Sequence, residues 1–104
     1  MSYLDAVKGL KFKVQKVEIE GITFYLRELS GMARIAYEGE TDISVKVLKM
    51  MYASLCDENG NPTEKPEDFN DFCKYVPNKA LNILIEKFSE INAAQKQEEE
   101  LKNS

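Results

Sequence analysis

The chain changes its apolar rhythm once, and that change limits the fold more than any single residue does. From Val17 to Leu26 apolar and polar residues alternate around Glu20-Gly21, the period of a β-strand. From Met32 onward apolar residues return every three or four positions, the period of a helix. If Glu20-Gly21 is a two-residue loop, Ile19 faces Ile22, Val17 faces Phe24 and Gln15 faces Leu26, which puts the apolar partners on one face. Glu-Gly is a weaker turn signal than Asn-Gly, so a longer loop also fits. Phe12 and Val14 are out of phase with Val17 and Ile19. Either a bulge near Gln15-Lys16 restores them, or they serve the opposite face. Ahead of the hairpin, Tyr3, Leu4 and Val7 fit a short helical turn or a segment mobile until bound.

The helical half is punctuated by caps and breakers. Ser30 is placed to cap a short helix carrying Met32, Ile35 and Ala36 and ending at Gly39. Asp42 caps the next, which aligns Val45, Leu48, Met51, Tyr52 and Leu55, with Val47 widening the stripe. The segment Cys56-Asp57-Glu58-Asn59-Gly60-Asn61-Pro62 ends it. Pro66 suits the first turn of a third helix with Phe69, Phe72, Cys73 and Val76, and Pro77 opens a fourth. There Leu81, Leu84, Ile85, Phe88 and Ile91 form an amphipathic face. The expected fold is α+β and mostly helical: an N-terminal β-hairpin with about four α-helices packed on it. Residues 1–93 read as one domain and residues 94–104 as a polar tail, frayed or disordered.

Composition narrows the function classes. At 104 residues, 43% hydrophobic and 31% charged, the chain holds enough for one core and has the usage of an ordinary globular domain. A net charge of -4 argues against nucleic acid, and the lysines at 8, 11, 13 and 16 read as a solvated face. No apolar run is long enough to span a bilayer, and the first residues lack the pattern of a signal peptide. A soluble cytoplasmic protein with reduced thiols is the expectation.

No catalytic, cofactor or metal site is expected. The chain has no histidine, so Cys56 and Cys73 lack the usual activating base and read as packing thiols. Asp57, Asn59 and Asn61 suggest a calcium loop, but Gly60 falls fourth and Asp68 twelfth, where an EF-hand needs glycine sixth and glutamate twelfth. A capped turn is the reading. The carboxylates from Glu64 to Asp71 serve solvation and capping, or meet a basic partner. Binding surfaces are expected in two places. One is the hairpin's outer edge with Tyr25 and Arg27, for association between copies; alanine there is expected to spare the fold and weaken association. The other is an adaptable apolar groove around Met51, Tyr52 and Phe69.

Three segments, in this order and spacing, form a known pattern: Tyr25-Leu26-Arg27-Glu28-Leu29-Ser30, then Ser54-Leu55-Cys56-Asp57-Glu58-Asn59-Gly60-Asn61, then Lys87-Phe88-Ser89-Glu90-Ile91-Asn92. Over residues 14–93 the chain resembles the tail assembly chaperones of long-tailed bacteriophages and prophages. One departure is Gly31-Met32-Ala33-Arg34, where relatives often carry an acidic–basic pair. The resemblance implies a non-enzymatic protein that coats and solubilises the tape measure protein, helps recruit tail tube subunits, self-associates, and is absent from the finished virion. It also implies that a longer frameshifted form contacts the tube protein. The alternative is a small phage adaptor, such as a head–tail or tail completion factor.

Overall fold

Glu20 and Gly21 close a tight hairpin. Both have positive φ, 49° and 83°, as the type I′ loop that matches strand twist requires. The strands β1 (Val14–Ile19) and β2 (Ile22–Arg27) pair antiparallel with Ile19 opposite Ile22, Val17 opposite Phe24 and Gln15 opposite Leu26. This is the register expected from the alternation. Pairing continues unbroken to Val14 opposite Arg27, so no bulge intervenes and Val14 lies on the face opposite Val17. A third strand, β3 (Leu55–Cys56), joins the other side of β2 and makes the sheet order β1-β2-β3. The computed structural model describes residues 2–103, with side chains described for residues 2–93.

The helices follow their caps. A short α1 (Tyr3–Val7) starts at Ser2. The Ser30 hydroxyl accepts from Ala33 N–H at the start of α2 (Gly31–Tyr37), and the Asp42 carboxylate accepts from Val45 N–H at the start of α3 (Ile43–Ala53). A 3₁₀ turn at Pro66–Asp68 leads into α4 (Phe69–Tyr75). The carbonyl of Pro77 accepts from Leu81 N–H where α5 (Asn78–Asn103) begins. The expected polar tail falls on residues 94–104, whose side chains lie outside the described residues.

The core lies between the sheet's inner face and the α3 and α5 helices. Val17, Leu26, Met51, Tyr52, Leu55, Leu81, Leu84, Phe88 and Ile91 form one buried cluster. Each of the large apolar side chains in it contributes roughly 2 kcal/mol by leaving water. Tyr52 anchors α4 as well. Its ring meets Phe69 edge-on at 5.3 Å and Phe72 at 5.1 Å, and its hydroxyl donates to the Lys65 carbonyl at 2.6 Å. Asn92 ties α5 to the end of the sheet: its side-chain oxygen accepts from Leu29 N–H, and its amide donates to the Phe88 carbonyl.

The sheet's second face is partly roofed by the turn after β3. Asp57 Oδ1 accepts from Asn59 N–H at 2.8 Å and from Asn61 N–H at 3.0 Å. These bonds, led by the one from Asn61, hold the Asp57 carboxyl below its usual range. Gly60 has φ of 86°, and a Cβ there would stand 3.3 Å from Val14 Cγ2, so the glycine provides both the backbone angle and the clearance.

Candidate protein-binding surfaces

The residues expected at binding surfaces fall into different places. Arg27 is half-buried and already engaged: its Nη1 donates to the Gly60 carbonyl at 3.0 Å, and its guanidinium stacks 4.1 Å above the Phe12 ring. It pins the turn and the N-terminal segment onto the sheet. Tyr25 stands on the face opposite Phe24, as expected, and is half-buried beside β3. The outer edge of β2 is taken by β3 at Tyr25 and Leu26, so β1 and β3 are the edge strands, β3 carrying a bridge from Cys56 to Pro62 on its outer side.

Met51, Tyr52 and Phe69 do come together, but inward. Met51 is 0% and Tyr52 2% exposed, so in this conformation neither has surface to offer a partner. Only Phe69, half-buried, reaches the rim of that cluster. The stripe that suggested a groove is the inner face of α3, and α4 closes over it through the two Phe–Tyr contacts.

The apolar surface that is open lies elsewhere. A groove of about 430 Å³ runs between α3 and α5, lined by Ile43, Ser44, Val47, Leu48, Asn78, Leu81, Asn82 and Ile85. Ile43 at its rim is 77% exposed. On α2, Met32 and Ile35 point outward, while Ala33 and Tyr37 make the half-buried side. A second hollow, about 580 Å³, lies where Val7, Leu10 and Phe12 come beside Glu28 and Leu29. Sequence periodicity missed these surfaces because an apolar residue on a short helix reads as core whichever way it faces. Burial pushes both Cys56 and Cys73 thiols up, away from the reactive thiolate. Among the described residues no cluster of His, Cys, Asp and Glu is arranged to hold a metal ion, and no helix is long and apolar enough to cross a membrane.

These features define a small α+β domain whose open apolar surfaces lie on its helices and N-terminal segment. No protein-family profile and no curated protein sequence matches the chain. The fold does match a solved one, the tail assembly chaperone of bacteriophage HK97. The two superpose with a TM-score of 0.59 at 17% identity, over 86% of this chain and 96% of that chain. At that identity the likeness is one of fold.

Proposed function

We propose that this chain is a phage tail assembly chaperone: a non-enzymatic protein of the host cytoplasm that binds the tape measure protein, keeps it soluble, and helps gather tail tube subunits around it. The observation that carries the reading is the fold shared along almost the whole of the HK97 tail assembly chaperone. The ordered motifs between Tyr25 and Asn92 support it independently.

The physical task fits the surface. A long client with apolar stripes aggregates unless those stripes are covered, and a small domain covers them best by binding in many copies through modest apolar contacts. The α3–α5 groove, with Ile43 at its rim, and the outward side of α2 are the surfaces assigned to that work. Tube subunits are assigned to a longer frameshifted form, and the chaperone leaves before the virion is complete.

Co-expression with the candidate tape measure protein tests this. Soluble client in complex with the chain is the expected outcome. An insoluble client and no complex, with both the short and the frameshifted forms tried, would overturn the reading in favour of an adaptor.

A further inference from the structure

We infer that residues 2–12 form a releasable strap, and that Arg27 couples the seating of this strap to closure of the turn at residues 57–62. The coupling is a property of the isolated chain and stands whether or not the chain serves a client.

The strap is lightly held. Its helix α1 buries no side chain, and Tyr3 is 90% exposed. Among the described residues, the backbone N–H bonds ahead of Lys13 stay within the strap: Asp5 to the Ser2 hydroxyl, Gly9 to the Ala6 carbonyl and Leu10 to the Val7 carbonyl. Val7 and Leu10 line an open hollow of about 580 Å³ beside Leu29 and take no part in the core. The strap is seated at its root, by the Phe12 ring under the Arg27 guanidinium and by the Lys13–Glu28 hydrogen bonds. A segment with so few buried contacts opens at a small fraction of the cost of global unfolding.

The same guanidinium closes the turn, since its Nη1 donates to the Gly60 carbonyl at 3.0 Å. Its Nε is buried with no hydrogen-bond partner among the described residues. A buried donor left unpaired favours any conformer that returns it to water. The inward conformer of Arg27 therefore depends on Phe12 at its face and Gly60 at its tip, and losing either favours an outward conformer with Nε hydrated. Strap and turn thus bias one two-state side chain. Linkage makes the effect mutual: lifting Phe12 loosens the turn, and loosening the turn lifts the strap. The turn also folds the chain back along β3, through Asp57 N–H to the Asn61 carbonyl, Thr63 N–H to the Leu55 carbonyl and the bridge from Cys56 to Pro62. A strap drawn away therefore uncovers the outer side of β3.

Amide hydrogen exchange on the full chain, read by NMR, tests this. Phe12 is 42% exposed, so Phe12→Ala leaves the core intact. It is expected to speed exchange at the Asp57, Gly60, Asn61 and Thr63 amides about tenfold or more, with the Leu84 amide in the core unchanged. Asp57→Ala removes the acceptor of the Asn59 and Asn61 N–H groups, and is expected to speed exchange at Lys13 and Glu28. Arg27→Lys keeps the charge but loses the planar face and the fork of donors. In that chain, adding Phe12→Ala is expected to leave the turn amides unchanged. Turn amides that ignore Phe12→Ala, or respond no more than Leu84, overturn the coupling, as do Lys13 and Glu28 amides that ignore Asp57→Ala. A full response to Phe12→Ala in the Arg27→Lys chain also overturns it, and would assign the link to the close approach of Val14 and Gly60.

Discussion

At the scale of single residues, Tyr52 and Arg27 bind elements together rather than present surface. Burial first, and then the carboxylates of Glu64, Asp68 and Glu67, push the Tyr52 hydroxyl up to about 12 from an ordinary 10.0. The folded state therefore keeps its proton at a pH where the unfolded chain releases it. The stabilisation is intact below about pH 10 and drains away as pH rises toward 12, at about 1.4 kcal/mol per unit. Tyr52→Phe is expected to flatten that part of the stability–pH curve, measured by denaturant unfolding between pH 9 and 12. At neutral pH it should cost about 1 kcal/mol, the worth of the lost bond to the Lys65 carbonyl. Arg27→Ala should cost about 1.5–3 kcal/mol through the bond to Gly60 and expose the Phe12 ring. The sequence marked Arg27 by its place on the outer face, but its partners come from residues far away in the chain. Alternation alone carries no trace of Gly60 folding back over Val14.

At the scale of elements, strength of local signal decided what was legible. The hairpin's register followed from alternation because a slip by one residue would turn Val17 and Leu26 to solvent. The Ser30 and Asp42 caps and the Pro66 and Pro77 starts were equally plain, since each rests on chemistry within a few residues. Strand β3 was not legible: two residues make no period, and Leu55 reads as the end of the α3 stripe, whereas α3 stops at Ala53 and Leu55 lies in β3. The groove misplaced at Met51 and Tyr52 has the same origin, because periodicity locates a stripe without saying what covers it. Glu20 remains a weak point of the hairpin, a non-glycine residue at φ of 49°. Glu20→Asn is expected to raise stability by up to about 1 kcal/mol, because asparagine tolerates that region better. A thermal melt of the two chains side by side checks it.

For the whole molecule, small size and open apolar surface belong together. A chain of 104 residues buries one core between sheet and helices and has little left to cover Ile43, Met32, Ile35 and the N-terminal residues Tyr3, Leu4 and Leu10. Exposed apolar side chains on that scale are a liability in a solitary protein and an asset in one that works by covering another. The likeness to the HK97 tail assembly chaperone is one of fold, and the proposed chaperone role is the reading to test. The most direct measurement is the number of copies of this chain bound per tape measure protein in a purified complex, by native mass spectrometry, for clients shortened by stages. The account predicts several copies, falling in proportion as the client shortens. A single fixed copy whatever the client's length would contradict it.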